Sequence, residues 1–124
     1  NFVLNLPQDT EIILPINQCL IEWTLENLSK NAIDAMGGIG TLTLDLTQDS
    51  KRVFIDVSDT GKGMPKKQFK KVFEAGFTTK ERGWGMGLSL AKRIIEEYHH
   101  GKIFVKQSTI NRGTTFRIVL KKEE

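Results

Sequence analysis

The sequence of 124 residues is poor in several features that would place it in particular protein classes. A single cysteine, Cys19, excludes an internal disulfide and suits a reducing, cytosolic setting, where we expect it to pack as a small buried hydrophobe. No apolar run approaches the roughly 20 residues of a membrane-spanning helix, and no signal peptide is visible. The sequence also contains no internal repeat and no low-complexity segment.

The chain is only mildly charged, with a net charge of +3. Its most basic stretch is a cluster of four lysines: Lys66, Lys67, Lys70 and Lys71. Such an excess suits an anionic ligand but falls short of the basic stripe of a nucleic-acid-binding protein. We therefore expect no nucleic-acid partner, and no contact of this domain with a membrane.

What is present is enough for one domain, to which we assign residues 1–124. The chain begins with Asn1 rather than Met, which suggests a piece of a longer protein. The predicted elements are strands over 2–6 and 11–14, a helix over 15–36, strands over 41–47 and 52–58, helices over 65–74 and 88–99, and strands over 102–107 and 114–120. Pro15 would open the long helix, and Gly101 would end the last one. This order predicts an α+β fold, a two-layer sandwich in which three helices cover one face of a mixed sheet.

The most informative stretch is the second half of the long helix, residues 26–36. A polar stripe runs along it at helical spacing: Asn27, Lys30, Asn31 and Asp34. An apolar stripe of the same period lies on the other side: Ile21, Leu25, Leu28 and Ala32. A carboxamide oxygen is a hard ligand that suits Mg²⁺, and its NH₂ group can donate to a phosphate oxygen. A polar stripe of this kind is also typical of a solvated surface.

A carboxylate stands at the end of the second predicted strand pair. Asp59 directly follows the strand and precedes Gly61 and Gly63. It could accept a hydrogen bond from an exocyclic amine such as that of adenine, and the glycines would let a flat ring approach the backbone. The alternative is an ordinary turn capped by aspartate. Thr114 or Thr115 could support this carboxylate through a hydroxyl, although both are also ordinary strand residues.

Three glycines, Gly83, Gly85 and Gly87, lead into the last helix. Free N–H groups at a helix start can form an anion site for phosphates. The segment is neither a P-loop nor a Rossmann turn, because no Gly-Lys-Ser/Thr follows and no strand immediately precedes it. Thr78, Thr79 and Lys80 lie upstream, and Lys80 could reach a terminal phosphate as a point charge. A mobile loop with a solvated lysine is the alternative.

Five short segments occur in a fixed order: ENLSKNAIDAM over 26–36, DTGKG over 59–63, FEAGFTTK over 73–80, GWGMGL over 83–88 and GTTF over 113–116. They resemble the N, G1, F and G2 boxes and the closing Gly-Thr box of the ATP-binding domain shared by sensor histidine kinases, DNA gyrase, heat-shock chaperones and mismatch-repair ATPases. The resemblance spans nearly all of the chain and implies the Bergerat ATP-binding fold. Within that superfamily, the sequence is most similar to the catalytic and ATP-binding domain of a bacterial two-component sensor histidine kinase.

The resemblance implies that the domain binds ATP and Mg²⁺. Asn31 would be the metal ligand, and Asn27 and Lys80 would act with it in phosphoryl transfer. Asp59 would bind the adenine amine, with Thr115 supporting it. The other implied contacts are Lys30 and Asp34 near the phosphates and ribose; Ala35, Met64 and Val72 in the base pocket; Gly61 and Gly63 at the ring; Phe73 and Phe77 as lid anchors; and Thr79, Gly83, Gly85, Gly87 and Leu88 in the lid and phosphate loop.

The same resemblance separates a kinase from a hydrolase. Water-activating relatives carry a glutamate four residues before the metal-binding asparagine, but here that position is Asn27, which cannot act as a general base. Glu26 is adjacent but rotated by about 100° around the helix. We therefore expect slow ATP hydrolysis and transfer to a histidine of an upstream dimerisation and phosphoacceptor domain. His99 and His100 do not match the phosphoacceptor motif and read as helix-end residues, where positive charge is favoured.

The implied partners are ATP, that helical domain and a response regulator. The fragment would be a cytoplasmic monomer, and the full-length kinase a homodimer through the absent domain, with membrane anchoring of the parent left open. Trp84 would contact the partner domain or pack within the lid. Three other functions remain open: a conformational ATPase of the chaperone and gyrase type, an anti-sigma serine kinase, and a non-catalytic nucleotide-binding module.

Overall fold

The computed structural model describes residues 2–5, 16–74 and 87–122. In chain order, the elements are strand β1 (Phe2–Asn5), helix α1 (Gln18–Ala35), strands β2 (Leu42–Gln48) and β3 (Arg52–Ser58), 3₁₀ turns Lys66–Gln68 and Lys71–Phe73, helix α2 (Gly87–Lys92) with a π-helical extension (Arg93–Tyr98), and strands β4 (Lys102–Thr109) and β5 (Gly113–Lys121). The strand predicted over 11–14 lies outside the described residues. Within the described segments, no helix has the length and apolar character needed to cross a membrane.

The strands form one five-stranded sheet in the order β1-β2-β3-β5-β4. β1 pairs with β2 in parallel, and every other neighbouring pair is antiparallel, so the sheet is mixed as predicted. Strand β3 agrees with the prediction residue for residue, whereas β4 and β5 run further into their shared hairpin than the predicted 107 and 114. The long hairpin brings residues 108–113 beside the loop that follows β3.

All the helical segments cover one face of the sheet. Side chains alternate along a strand, so the register places the pairs Val57–Phe116 and Ile55–Ile118 on the same face. The helical residues buried in this core are Ile21, Leu28 and Ala32 of α1, Val72 and Phe73 of the second 3₁₀ turn, and Ala91 and Ile95 of the last helix. The Phe73 ring meets the Phe116 ring edge-on, with centroids 5.9 Å apart. The α+β two-layer sandwich is therefore confirmed.

Helix α1 begins later than predicted. Its first residue is Gln18 and its N-cap is Asn17, whose side chain accepts a hydrogen bond from the Leu20 N–H at 3.1 Å. Pro15, which was predicted to open the helix, lies outside the described residues. The predicted apolar stripe is confirmed, but it also includes Thr24, which is fully buried. Its hydroxyl can be buried because it donates to the Leu20 carbonyl at 2.9 Å. Cys19 was expected to be buried and is exposed, because it lies on the outward side of the helix.

The two shorter helices also differ from expectation. The segment predicted as a helix over 65–74 forms two 3₁₀ turns, in which the Phe69 N–H reaches back only three residues to the Lys66 carbonyl. The last helix ends at Tyr98, and the left-handed residue after it is His100 (φ 57°) rather than Gly101. Gly101 is needed for another reason, because a Cβ there would lie 2.2 Å from the Val119 carbonyl oxygen of β5.

His99 ties the end of the last helix to the start of α1. Its Nδ1 lies 2.8 Å from the Ile94 carbonyl oxygen, and its Nε2 accepts the Asn17 N–H at 3.0 Å. A carbonyl can only accept and an amide N–H can only donate, so in these contacts Nδ1 is the donor and Nε2 is the acceptor.

The opposite face of the sheet carries one strong ion pair. The register sets Asp56 opposite Arg117, whose Nε and terminal nitrogen reach the two carboxylate oxygens at 2.7 and 2.8 Å. Lys106 adds a contact at 3.5 Å, and the guanidinium also lies 5.0 Å from the centroid of the Phe54 ring. Burial by itself would raise the pKa of Asp56, but the hydrogen bonds and charges of Arg117 and Lys106 outweigh it and lower the pKa.

We expect Arg117→Gln to reduce the free energy of unfolding by about 2 kcal/mol near neutral pH, since charge-assisted hydrogen bonds are lost at a buried carboxylate. Arg93→Gln is the matched control, because the Arg93–Glu97 pair is 72% exposed on both sides and should contribute less than about 0.5 kcal/mol. Urea denaturation of both variants measures the difference.

The pH dependence gives a second check on the same variant. Because the folded-state pKa of Asp56 is lowered, its stabilisation is present above the ordinary carboxyl value of 3.8 and is lost as the pH falls through the folded-state value. The deficit of Arg117→Gln should therefore shrink in acid. Equal losses for the two arginine variants at neutral pH would contradict this assignment.

Candidate nucleotide-binding site

The site is built around Asp59, the residue that follows β3. Its side chain is buried, and Oδ1 accepts the Gly61 N–H at 2.8 Å and the Thr114 N–H at 3.3 Å. The main chains are also paired, with the Asp59 N–H donating to the Thr114 carbonyl at 2.9 Å. Across the described parts of the chain, the donors to this carboxylate both bond Oδ1. That arrangement leaves Oδ2 as the oxygen on which a ligand could donate.

Burial is the larger influence on the charge of this group. It raises the pKa of Asp59, while the N–H groups of Gly61 and Thr114 lower it by a smaller amount. The ionised carboxylate is therefore held at some cost in the folded protein. A buried carboxylate with a raised pKa and one oxygen available to a ligand is the kind of group that marks functional sites.

The loop after Asp59 is held by main-chain contacts on both sides. The Lys62 N–H donates to the Ala35 carbonyl at the end of α1 at 3.0 Å, and the Lys62 carbonyl accepts the Asn111 N–H at 2.7 Å. This loop, residues 59–65, therefore lies between the end of α1 and the β4–β5 hairpin. We call it the clamped loop.

The two glycines of the loop are required by these neighbours. A Cβ on Gly61 would lie 2.6 Å from the Ala35 carbonyl oxygen, and one on Gly63 would lie 2.1 Å from the Thr109 carbonyl oxygen. Gly63 also has φ +68°, which disfavours other residues. The sequence interpretation attributed both glycines to the approach of a flat ring. In the structure, close contact with protein backbone is already a sufficient reason for them.

The β4–β5 hairpin contributes residues that sequence reasoning did not select. A Cβ on Gly113 would lie 1.9 Å from the Asp59 carbonyl oxygen, so this glycine allows β5 to approach the carboxylate. Ser108 accepts the Met64 N–H at 2.8 Å and lies 2.7 Å from the Thr114 hydroxyl. Gly113 belongs to the GTTF segment and could have been selected from it, whereas nothing in the sequence indicates Ser108.

The support of the carboxylate comes from a different threonine than the one implied by the resemblance. The Thr115 hydroxyl lies 2.9 Å from the Ser58 hydroxyl, on the strand pair next to Asp59. The hydrogen bond to the carboxylate comes from Thr114, and from its main chain rather than its hydroxyl. Alternation along β5 turns the side chains of Thr114 and Thr115 to opposite faces of the sheet. The pairing of β5 with the end of β3 brings the Thr114 N–H to the carboxylate.

Helix α1 brings the Asn27 carboxamide to the start of α2. A Cβ on Gly87 would lie 2.7 Å from Nδ2 and 2.9 Å from Oδ1 of Asn27, so the Asn27 side chain packs directly against the first residue of α2. Asn27 and Asn31 are half-buried, whereas Lys30 and Asp34 are exposed. The predicted polar stripe is thus present, and its two half-buried asparagines lie on the side nearer the core.

The remaining predicted residues fall into two groups. Within the described part, Val72 is buried, and Met64 and Leu88 pack partly buried against the core. Ala35 ends α1 beside the Asp59 loop. The others lie outside the described residues: Phe77, Thr79, Lys80, Gly83, Trp84 and Gly85.

The donor chemistry bears on which metal the site could hold. Among residues 2–5, 16–74 and 87–122, no group of three or more His, Cys, Asp or Glu side chains is placed to hold a metal ion by itself. Mg²⁺ is usually bound through one or two protein oxygens together with substrate phosphates and water. The half-buried Asn31 carboxamide fits that mode of binding.

Comparison with known proteins places the chain in a family. Residues 18–124 match the family described as histidine kinase-, DNA gyrase B-, and HSP90-like ATPase. The chain belongs to this ATPase family. The sporulation kinase A of Bacillus subtilis is 40% identical over 97 residues, which are 78% of this chain and 16% of that protein. The chain spans less than a third of the length of the first curated relatives it matches.

Solved structures of this ATPase family share the fold. The catalytic domain of histidine kinase ThkA has a TM-score of 0.85 at 30% identity, covering 98% of this chain and 80% of that chain. ThkA in complex with the response regulator protein TrrA has a TM-score of 0.81 at 28% identity, covering 99% of this chain and 34% of that one.

Gly37 and Gly63 have nearly the same φ but different surroundings. Alanine substitutions at the two positions therefore separate the free-energy cost of a positive φ from the cost of a close contact. Gly37 has φ +65° with nothing within 4 Å of a Cβ, whereas Gly63 has φ +68° with the Thr109 carbonyl oxygen at 2.1 Å. We expect Gly37→Ala to cost roughly 1 kcal/mol of unfolding free energy. Gly63→Ala should cost about 2 kcal/mol more, because backbone must move. Chemical denaturation midpoints compare the two, and equal costs would contradict the clamped loop.

Proposed function

We propose that this chain is the ATP-binding catalytic domain of a sensor histidine kinase, acting in two-component signal transduction. The domain binds Mg-ATP and presents the γ-phosphate to a histidine on a separate helical domain. The observation that carries the proposal is the Asp59 carboxylate, which is buried, bonded through Oδ1 and left with Oδ2 for a ligand. The similarity to sensor kinases over most of the chain supports it.

On the base side, Oδ2 of Asp59 accepts a hydrogen bond from the adenine amine. Gly61 and Met64 lie in the loop that follows this carboxylate, and Ala35 and Thr115 flank that loop. In this proposal Val72 completes the base pocket. A buried acceptor selects for a base that donates at this position, because a base without a donor leaves the carboxylate unpaired. We therefore expect a preference for adenine over guanine nucleotides.

On the phosphate side, Asn31 holds Mg²⁺ and Asn27 supports the phosphates from its position against Gly87 at the start of α2. When bound, the ion neutralises phosphate charge in the transition state. Lys30 and Asp34 are exposed and four residues apart, so they lie on the same side of α1. In this proposal they lie near the phosphates and the ribose. Phe77, Thr79, Lys80, Gly83, Gly85, Gly87 and Leu88 complete the lid and phosphate loop in this proposal.

The side chain at position 27 favours a kinase over an ATPase. Asn27 occupies the place from which a glutamate would activate water, and a carboxamide does not take up a proton near neutral pH. Glu26 is exposed on α1, whereas Asn27 is half-buried against α2. Phosphoryl transfer depends mainly on positioning and electrostatics, so the acceptor can come from another domain. Slow hydrolysis by this chain alone follows.

The partners in this proposal are the dimerisation and phosphoacceptor domain and a response regulator. The solved complex of ThkA with its response regulator is consistent with that arrangement, although it is a property of ThkA. We further propose that this domain is a cytoplasmic monomer and that the whole kinase dimerises through the helical domain. None of these partners requires nucleic acid or a membrane surface.

The adenine assignment predicts that Asp59→Asn weakens binding of a non-hydrolysable ATP analogue by at least about tenfold, since an amide donor then faces the amine. Isothermal titration calorimetry with and without Mg²⁺ measures this. Stability should not fall. Folding raises the pKa of Asp59, so at neutral pH the wild type holds a charge that the amide variant does not.

A GTP analogue serves as the matched ligand control, because it presents a carbonyl where ATP presents an amine. The wild type should discriminate against it, and Asp59→Asn should discriminate less. Asn31→Asp tests the metal assignment in the same titrations, through a changed Mg²⁺ dependence. Unchanged affinity in both variants would mean that the site has been assigned to the wrong residues.

The kinase assignment predicts phosphoryl transfer from ATP only when the helical domain of the parent protein is supplied. The product should be acid-labile, as expected of a phosphorylated imidazole, and ATP turnover by this chain alone should be slow. An acid-stable phosphoserine would indicate a serine kinase instead. Fast turnover in isolation would indicate a conformational ATPase.

A further inference from the structure

The charge of this protein is concentrated in one short segment. Residues 60–73 hold five of the 18 basic residues and none of the 15 acidic ones, so the rest of the chain is net negative by two charges. Four of these five residues form what we call the lysine rim: Lys66, Lys67, Lys70 and Lys71. All four are exposed.

The lysine rim lies beside the candidate site. It starts seven residues after Asp59, on the two 3₁₀ turns that follow the clamped loop. Val72 and Phe73, which directly follow Lys71, are buried in the core, and this packing fixes the second turn against α2. Lys92 of α2 extends the positive surface, because its Nζ lies 5.8 Å from the centroid of the Phe73 ring.

The electrostatic consequence follows from this placement. A nucleotide triphosphate approaches as a polyanion, which the net negative remainder of the surface repels and the lysine rim attracts. Charges of one sign beside a site can raise association rates by roughly 10- to 1,000-fold at low ionic strength, and this effect falls as salt is added. Exposed lysines of this kind act mainly on the association rate, whereas dissociation depends on the buried contacts.

We propose that the lysine rim steers anionic nucleotides into the Asp59 site and raises their association rate. The inference rests on the proposed function, since it assumes that the ligand is a nucleotide phosphate. It assigns a role to residues that act on the nucleotide before the bound complex forms.

The test compares two triple variants with the same change in net charge. The rim variant is Lys66→Glu, Lys67→Glu and Lys70→Glu. The control variant is Lys51→Glu, Lys121→Glu and Lys122→Glu, at the far end of the sheet. Arg52 pairs with Lys121 there, whereas Ser58 precedes Asp59. The six residue steps from Arg52 to Ser58 span about 20 Å. That distance exceeds the roughly 8 Å Debye length at physiological ionic strength.

Stopped-flow fluorescence with a fluorescent ATP analogue measures association and dissociation rate constants over a series of salt concentrations. At low salt, the rim variant should associate roughly tenfold more slowly than wild type or more, and the control variant within about twofold of it. Dissociation rates should change little, and the gap should close as salt rises. The corresponding fluorescent adenosine, which is uncharged, should associate equally fast with both variants.

The outcomes separate the inference from the proposed function. Equal association rates for the rim and control variants would overturn the steering proposal while leaving nucleotide binding intact. A salt-independent loss, or one confined to dissociation, would overturn it in favour of direct contact. Failure of the wild type to bind the analogue at all would overturn both.

Discussion

The placement of one buried carboxylate against strand β5 is the constraint on which the site depends. Asp59 bonds Thr114 through both its side chain and its main chain, and it bonds Gly61 within its own loop. Gly113 is required because the Asp59 carbonyl oxygen occupies the space of its Cβ. The two central strands and the loop therefore form one unit, so the position of the carboxylate is set by the sheet. The energetic cost of holding the charge there is consistent with the raised pKa.

The periodic patterns of the sequence predicted those strands and helix faces that depend on local sequence alone. Alternation located β3 to the residue, and the helical period separated the buried face of α1 from the half-buried asparagines. The exceptions also have local causes, which are side-chain hydrogen bonds that the residue types alone do not reveal. Thr24 is buried because its hydroxyl bonds its own helix, and Asn17 starts α1 because its side chain caps it. The 3₁₀ and π-helical segments could not be predicted, since their apolar spacing resembles that of an α-helix.

The candidate site shows where sequence reasoning stopped. Motif order was enough to select Asp59 and the two asparagines, but Ser108 enters the site only because β4 lies beside β5. Threonine hydroxyls were expected to hold the carboxylate, yet the Thr114 main chain does so, because strand pairing brings a backbone N–H to that place. Contacts between residues more than 40 positions apart depend on register, which the sequence pattern leaves undetermined.

The tip of the β4–β5 hairpin touches the clamped loop almost entirely through main-chain atoms. The Thr109 carbonyl lies where a Gly63 side chain would be, and the Asn111 N–H bonds the Lys62 carbonyl. The side chains at 110–112 point to solvent. Ile110 and Arg112 are therefore positions where a fluorophore could be attached without disturbing the pocket, whereas Asn111 must keep its left-handed backbone. The hairpin tip is thus a natural place for a fluorescent reporter that lies close to the candidate site.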